Sequence, residues 1–312
     1  MIKTIKIFST IILDTKVMPN SKKNKSEKKT IGGMCAPGNT GTSTIIHNKK
    51  TRKASKKKFT CLSRESLIKI ISKLDSEEAF VWDPEASDYE LWSLIREKMR
   101  GKCRDEVCWA KKANLDTKDV FKPEKPREWK KNSLEWLDTN NIEDVLSQYE
   151  QKHSNFAFMG AVPIDFDHKF SATNCVANEL CNLSVKRLME KGKTRLGVVF
   201  NLDRHDQPGS HWISMFARFG RKSFVGYFDS YGYKPPREVL KLMRRIKKQC
   251  EEMGNSCELK SNDIRHQRKF SECGVYCIHY IVKMLEGGNF DKITKNVIDD
   301  DTMNSYREKF FI

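Results

Sequence analysis

The sequence lacks any apolar stretch long enough to cross a membrane as a helix. Its longest such stretch is IFSTIIL, at positions 7–13 of 312 residues, whereas a bilayer core needs about 20 apolar residues. No small-residue cleavage site follows it, so a secretory signal is not predicted. A phosphate-binding loop, a dinucleotide fingerprint and internal repeats are also missing. These absences argue against membrane-spanning proteins and nucleotide-dependent enzymes.

Basic charge is concentrated at one end of the chain. Residues 1–60 hold 15 Lys and Arg against two acidic residues, a net charge of +13, whereas the other 252 residues carry a net +4. Residues 1–58 show no apolar periodicity, which predicts a basic disordered tail. Its densest run, NKKTRKASKKK at 48–58, has three interpretations: non-specific DNA contact, a nuclear address, or a solvated segment. Met18 and Met34 are alternative start positions.

The ten cysteines do not suggest a secreted scaffold. A long chain without a secretory signal predicts a reducing compartment and mostly free thiols. Two close pairs, Cys103 with Cys108 and Cys175 with Cys181, have no nearby His or Cys to complete a four-ligand zinc site. We therefore expect no metal and no cofactor.

Residues 59–153 carry helical signals. Ser63 is a predicted N-cap, and a capping box begins at Ser87. A third helix is predicted over residues 142–152, where apolar side chains recur on one face. Five tryptophans fall in this region and are expected to pack in its core: Trp82, Trp92, Trp109, Trp129 and Trp136.

Residues 154–312 alternate between strand and helix patterns. Strands are predicted from residue 156, over residues 195–202, and in a hairpin that turns at Gly220-Arg221. A helix follows Pro235-Pro236, a further strand covers residues 257–261, and a last helix runs over residues 273–286. This region is therefore expected to form a domain separate from the helical one.

The hairpin brings together an imidazole and a carboxylate. A turn at Gly220-Arg221 places His211 opposite Ser230, one residue from Asp229. A carboxylate in that position orients a histidine and stabilises its cation. A surface ion pair is the alternative, and His205, on a loop near His211, is a weaker candidate for a catalytic histidine.

A cysteine begins the last predicted helix. Backbone N–H groups and the helix dipole stabilise a thiolate at that position, which favours Cys273 as a nucleophile over a buried structural cysteine. Gly274, which lacks a side chain, lets a substrate carbonyl approach. Gln267 supplies an uncharged amide donor for an oxyanion. With His211 and Asp229, the sequence contains a base, an orienting acid, an oxyanion donor and a nucleophile.

The pattern GSHW…YFDSYG…RHQRKFSECGVY resembles the Ulp1/adenain-like cysteine peptidases, and most of all the polyprotein-processing proteases of large DNA viruses. The resemblance covers about Phe156–Ile312. It implies an α+β, papain-like core with a mixed sheet against the nucleophile helix. The expected domains are a tail at 1–58, a helical region at 59–153 and a catalytic domain at 154–312.

The resemblance also implies roles for individual residues. Cys273 matches the nucleophile, His211 the general base and then acid, Asp229 the residue that orients His211, and Gln267 the oxyanion donor. Trp212 matches the tryptophan that narrows a channel for a Gly-Gly substrate end, with Gly274 also at the substrate. The tail has no counterpart in the family pattern.

Three functions are consistent with these residues. The first is a thiol endopeptidase that cleaves viral structural precursors after Gly-Gly, located in the virion and the cytoplasmic viral factory, with the nucleus as an alternative. The second is an isopeptidase that acts on host SUMO or ubiquitin conjugates. The third is a catalytically idle, basic-tailed virion protein, against which the complete set of catalytic residue types argues. Protein substrates, and no membrane, are the expected partners.

Overall fold

The computed structural model describes residues 33–39, 41–47 and 54–312. Its strands are β1 (Thr42–His47), β2 (Ala54–Thr60), β3 (Phe156–Pro163), β4 (Arg195–Asn201), β5 (Trp212–Arg218), β6 (Lys222–Phe228) and β7 (Ser256–Ser261). Its helices are α1 (Arg64–Glu77), α2 (Asp88–Lys98), α3 (Glu106–Lys112), α4 (Thr139–Lys152), α5 (Asn178–Cys181), α6 (Val185–Glu190), α7 (Arg237–Glu252), α8 (Cys273–Leu285), α9 (Phe290–Lys295), α10 (Asp300–Ser305) and α11 (Arg307–Phe310). A short 3₁₀ helix covers Arg127–Lys130.

The central sheet is mixed and has the strand order β3-β4-β5-β6-β7. The two outer pairs, β3 with β4 and β6 with β7, are parallel, whereas β5 is antiparallel to both of its neighbours. Strand β4 is buried over five consecutive residues, as expected for a central strand covered on both faces. The predicted combination of helices with a mixed sheet is therefore present.

Two apolar cores cover the two faces of this sheet. One core contains the apolar side chains of α8 together with those of α4, and the other contains those of α6 and α7. A third apolar cluster holds α1, α2 and α3 together. Residues 31–312 form one compact unit. Because α4 packs on β3 and α8, it shares one core with α8. The predicted domain division at residue 153 stays a prediction.

Local sequence signals place the helix ends. The Ser63 hydroxyl accepts the Ser66 N–H, and Ser87 and Glu90 form the predicted capping box. Helix α4 begins three residues before the predicted start at Ile142, because Asp138 and Asn141 form a second capping box. Gly287, at φ +87°, ends α8 in the left-handed conformation that glycine adopts readily.

The predicted disordered tail differs from the structure where it is described. Residues 1–32 lie outside the described residues. Strands β1 and β2, by contrast, form an antiparallel pair with Thr42 opposite Thr60. The Asn39 side chain donates hydrogen bonds to the carbonyls of Cys61 and Val120, at 2.9 and 2.8 Å. Backbone pairing and these anchors order a segment whose composition alone predicts disorder.

The prediction of mostly free thiols is wrong. Three disulfides are present: Cys35–Cys61, Cys103–Cys108 and Cys175–Cys181. Their Cα atoms lie 5.3, 5.6 and 6.4 Å apart, within the range that a disulfide spans. The four remaining cysteines are free and buried: Cys250, Cys257, Cys273 and Cys277. In each of the two close pairs that were considered as zinc ligands, the two cysteines are thus bonded to each other.

The described residues contain neither a membrane-spanning helix nor a cluster of metal-ligating side chains. No helix among them is both long enough and apolar enough to span a bilayer. No group of three or more His, Cys, Asp or Glu side chains in that part of the chain is arranged to hold a metal ion.

Candidate active site

The predicted His–Asp pair is formed at the open end of the β5–β6 hairpin. The Nε2 atom of His211 lies 2.7 Å from an Asp229 carboxylate oxygen. Both side chains are buried. The hairpin register pairs Ser214 with Phe228, one residue away from the predicted register, and this shift leaves the juxtaposition intact.

Asp229 is held rigidly. Its carboxylate also accepts the backbone N–H groups of Tyr231 and Tyr233, at 2.9 and 3.2 Å. The Asn262 side chain accepts the Asp229 N–H at 2.9 Å and donates to the Asp229 carbonyl at 2.7 Å. Asn262 thus fixes both the N–H and the carbonyl of the Asp229 backbone. The sequence did not reveal this positioning contact.

Cys273 is the first residue of α8 and is buried. Its thiol lies close enough to His211 to raise the pKa of that imidazole, both through hydrogen bonding and through its charge. Because Nε2 of His211 is bonded to Asp229, Nδ1 is the ring nitrogen left for the thiol. The three side chains therefore form a continuous line from carboxylate to imidazole to sulfur, with the sulfur at a helix N-terminus.

The electrostatics of this line favour a protonated imidazole. Burial alone lowers the pKa of His211, but hydrogen bonds to Asp229 and Cys273, and the negative charges of those groups, raise it to about 9. Four residues along the same helix, burial raises the pKa of the Cys277 thiol well above its ordinary value. The two thiols of α8 thus have different chemical environments.

Gln267 lies next to Glu272, the residue before Cys273, and is buried and tightly hydrogen-bonded. Ser230 donates its hydroxyl to the Gln267 side-chain oxygen at 2.6 Å. The amide nitrogen donates to the Lys269 carbonyl at 3.0 Å, and it lies 3.4 Å from the carboxylate of Glu272, the residue before Cys273. A primary amide has two N–H donors. Ser230 therefore orients the amide so that its nitrogen faces the loop that leads into α8.

Gly274, the residue after Cys273, packs against Leu137 so closely that no side chain would fit there. A Cβ atom added at Gly274 would lie 2.9 Å from the Leu137 Cβ, closer than two such carbons approach. Leu137 in turn accepts the Trp212 indole N–H on its carbonyl, at 2.8 Å. Gly274 therefore makes room for Leu137, which anchors Trp212; the sequence suggested a different reason, access for a substrate carbonyl.

Trp212 borders a cavity of about 640 Å³. Trp136 and Trp129 line the same cavity. The core prediction holds for Trp129, which is 8% exposed, and is wrong for Trp136, which is 43% exposed. Sequence periodicity could not separate these two tryptophans, because Trp129 lies in a one-turn 3₁₀ helix and Trp136 lies in no helix or strand.

Tyr231 covers His211 and was also missed. Its ring centroid lies 4.7 Å from that of His211, and its hydroxyl donates to the Lys269 carbonyl at 3.1 Å. The guanidinium of Arg265 lies 5.1 Å from the Tyr231 ring centroid. Tyr231 therefore links the imidazole to the loop that carries Gln267 and Cys273.

A buried charged network supports that loop from behind. Glu272 is fully buried and accepts hydrogen bonds from Ser271 and from Asn304, at 2.8 Å for the Asn304 amide. Arg307 donates to the carbonyls of Glu135 and Ser271, at 2.7 and 3.0 Å. Helices α10 and α11 are thereby tied to the residues just before Cys273.

The alternative candidate His205 and the neighbouring His266 lie outside this arrangement. His205 is hydrogen-bonded through Nδ1 to Asp165 at 2.7 Å and lines the cavity. His266, next to Gln267, is buried against the Thr294 carbonyl at 2.9 Å. Neither shares a hydrogen bond with Cys273 or Asp229 among the contacts of the described residues.

No protein-family profile matches the chain. The chain is 33% identical, over 218 residues, to the putative thiol protease of Acanthamoeba polyphaga mimivirus. The matched region covers 66% of this chain and 68% of that protein. It belongs to the viral thiol protease family. The protease is also 28% identical over 244 residues to the cysteine protease of African swine fever virus, covering 71% of this chain and 88% of that protein.

In another isolate the African swine fever virus protein is named a SUMO-1 cysteine protease. A crystal structure of the African swine fever virus protease matches this protease with a TM-score of 0.61 at 24% identity, covering 89% of this chain and 95% of that chain. The predicted α+β protease fold and the predicted cysteine protease family are thereby confirmed.

The pKa of His211 leads to a prediction about pH. A protonated imidazole is needed to give the leaving amine its proton, so kcat/KM should fall above about pH 9, where His211 loses that proton. Asp229→Asn removes one cause of the raised pKa, so the alkaline limb should move to lower pH. Rates measured with one peptide from pH 6 to 10 test this, and an unmoved limb would assign it to another group.

Proposed function

We propose that this protease is an endopeptidase that cleaves after Gly-Gly in viral structural precursor proteins during virion maturation. The observation that carries the proposal is the His211–Asp229 hydrogen bond, with the Cys273 thiol acting on the same imidazole. Trp212, the residue after His211, lines a neighbouring cavity. It is proposed to act in the virion and in the viral factory of the host cytoplasm.

The proposed reaction uses the geometry of that line. The Cys273 sulfur attacks the carbonyl carbon of the residue before the scissile bond. The resulting oxyanion is stabilised by the Cys273 backbone N–H and by the Gln267 amide, which exchanges its 3.4 Å contact with Glu272 for one with the oxyanion. The C–N bond breaks as protonated His211 donates its proton to the leaving amine. Water, deprotonated by His211, then hydrolyses the thioester and restores the thiol.

The fixed indole of Trp212 accounts for the proposed specificity for glycine before the scissile bond. Trp212 follows His211 directly, is 6% exposed and is fixed by its bond to Leu137. A substrate side chain beneath a fixed indole would hold its carbonyl away from Cys273, and a displacement of ~1 Å can cost ~100-fold in rate. Glycine, without Cβ, lets the substrate backbone lie flat in the slot.

Substituting Ala for the glycine before the scissile bond should therefore reduce kcat/KM by about 100-fold. Trp212→Ala should lower the overall rate and narrow this difference between Gly and Ala. Trp82→Ala, in the separate cluster of α1–α3, is the matched control and should preserve the difference. The measurement is a paired set of peptides that differ at that one position. Equal turnover of both by the wild-type protease would exclude the slot.

The alternative substrate class is a conjugate of a ubiquitin-like modifier. The name of the African swine fever virus relative favours this class, and the same catalytic side chains would serve it. Incubating the protease with capsid precursors and, separately, with SUMO and ubiquitin conjugates tests the proposal. Faster cleavage of the conjugates than of the precursors would decide for the isopeptidase.

DNA contact is proposed for the basic residues before β2. Deleting 1–58 would also remove β1 and the Cys35–Cys61 disulfide, so a cleaner variant lacks residues 1–33 and has Gln at Lys49, Lys50, Arg52 and Lys53. We expect its affinity for duplex DNA to be at least about tenfold weaker at low salt, with a shallower salt dependence, because fewer counterions are released. Titrations at two salt concentrations measure this, and peptide hydrolysis serves as the control. Equal salt dependence in both proteins would exclude an electrostatic role.

A further inference from the structure

The cavity beside Trp212 is strongly acidic. Four carboxylates line it: Glu128, Glu135, Asp138 and Asp203. None of the four forms an ion pair among the described residues. The single lining arginine, Arg204, is paired with Asp165 and Asp206, at 3.6 and 3.4 Å, so it does not neutralise the lining. A substrate segment that enters this cavity is therefore favoured if it carries positive charge.

A second feature of the cavity points to a peptide backbone. Trp129 lines it and is 8% exposed, and its indole N–H has no hydrogen-bond partner within the described part of the chain. A buried donor without a partner costs free energy until an acceptor reaches it. A carbonyl of an extended substrate is such an acceptor.

The chain itself contains a segment with the required chemistry. Gly32-Gly33 is followed by Met34, and the residues before this pair include Lys22, Lys23, Lys25, Lys28 and Lys29 with one acidic residue, Glu27. Lys29 precedes Gly33 by four residues, which spans ~13 Å in an extended chain. With Gly33 at the nucleophile, these lysines would follow the substrate path into the acidic cavity.

The chain has one other Gly-Gly pair, and the fold excludes it. Gly287 and Gly288 end α8, where their N–H groups donate to the carbonyls of Met284 and Lys283, at 3.3 and 2.9 Å. A backbone held in a helix end cannot lie extended in a slot. Gly33, in contrast, is exposed.

The residues just after Gly33 are fixed to the folded unit. The Met34 carbonyl accepts the Lys122 N–H at 2.8 Å, and Cys35 is bonded to Cys61. These contacts lie in the cluster of α1–α3, whereas Cys273 and Trp212 belong to the core of α8. A scissile bond tethered this way suits the active site of a second molecule better than its own.

We propose that the protease cleaves its own chain between Gly33 and Met34, one molecule acting on another, with the preceding lysines held in the acidic cavity. This inference rests on the proposed function. The Cys273 sulfur attacks the Gly33 carbonyl carbon, the Gly33–Met34 C–N bond breaks, and the Met34 amine leaves with a proton from His211. Water then hydrolyses the thioester, which yields a Gly33 carboxylate and the free thiol.

Mixing two forms of the full chain tests the proposal. Tagged Cys273→Ala protein is the substrate, wild-type protein is the enzyme, and intact mass with N-terminal sequencing is the readout. We expect a product that begins at Met34, at a rate proportional to the wild-type concentration, and no product from the Cys273→Ala protein alone. Adding Gly33→Ala to the substrate should slow cleavage about 100-fold.

A substrate variant with Gln at the five lysines tests the role of charge. We expect cleavage at least about tenfold slower and insensitive to salt, whereas cleavage of the unmodified tail should fall as salt screens the attraction. Equal rates for the two substrates would overturn the role of the acidic cavity. A product from the Cys273→Ala protein alone would overturn self-cleavage.

An unrelated Gly-Gly peptide separates this inference from the proposed function. If the wild-type protease cuts the peptide but leaves the Gly33–Met34 bond intact, self-cleavage is overturned and the proposed function stands. If it cuts neither, the proposed function fails, and self-cleavage fails with it.

Discussion

Cys273→Ala should reduce peptide hydrolysis by about 10⁴-fold or more, because it removes the atom that forms the covalent intermediate. The fold should survive, because Cys273 is the first residue of α8 and the substitution removes only one buried sulfur atom. The measurement is kcat/KM with a Gly-Gly peptide, alongside a thermal unfolding curve. Undiminished turnover by the folded variant would remove the nucleophile assignment.

The other free thiols provide the matched control. Cys277→Ala changes a cysteine of the same helix that has no hydrogen bond to His211 among the described contacts, and it should keep most of the activity. A thiol alkylator should label Cys273 well before Cys277, although both are almost fully buried. The reason is chemical rather than steric: Cys273 faces a protonated imidazole, while burial raises the pKa of Cys277. Mass mapping of the labelled peptide distinguishes the two.

His211→Ala should lower kcat/KM by about 10³-fold or more, because both proton transfers pass through this ring. His205→Ala is the control on the neighbouring loop, and it should keep most activity on a neutral peptide, because its ring is bonded to Asp165 rather than to Asp229. Asp229→Asn should have a milder effect than His211→Ala, since an amide still orients the ring but stabilises its cation less.

If His205→Ala lost more activity than His211→Ala, the assignment of His211 as the catalytic histidine would be wrong. His211 is buried at the open end of the β5–β6 hairpin, so its replacement by Ala could also disturb folding. A folding control is therefore required for this variant. His211→Gln, a closer match in size, separates loss of the proton carrier from loss of packing, and we expect it to be as inactive as His211→Ala.

The hairpin and the helix that begins at Cys273 were predictable because local sequence signals determine them. A turn at Gly220-Arg221 and alternating apolar residues on both sides set a register, and that register alone brings His211 near Asp229. Cys273 at a helix start followed by Gly274 was likewise readable. What the residues could not show was the distance between the two groups, which depends on α8 packing against β5.

Long-range contacts account for what was missed. Asn262 grips Asp229 from 33 residues away, and Arg307 donates to the Glu135 carbonyl across 172 residues; no periodicity signals either contact. The paired cysteines were misjudged because compartment was inferred from composition, whereas pairing depends on which Cα atoms the fold brings close. The β1–β2 hairpin was missed because its lysines resemble a solvated tail.

The acidic cavity is lined by Trp129, Trp136 and Trp212, half of the chain's six tryptophans. Indole emission responds to the polarity of its surroundings, so occupancy of this cavity is coupled to the intrinsic fluorescence of the whole molecule. A peptide that displaces water from the partly exposed Trp136 should shift the emission to shorter wavelength. In the Cys273→Ala protein, where bound peptide is not consumed, that shift becomes an equilibrium signal, and affinity for uncut substrates can be read without a label.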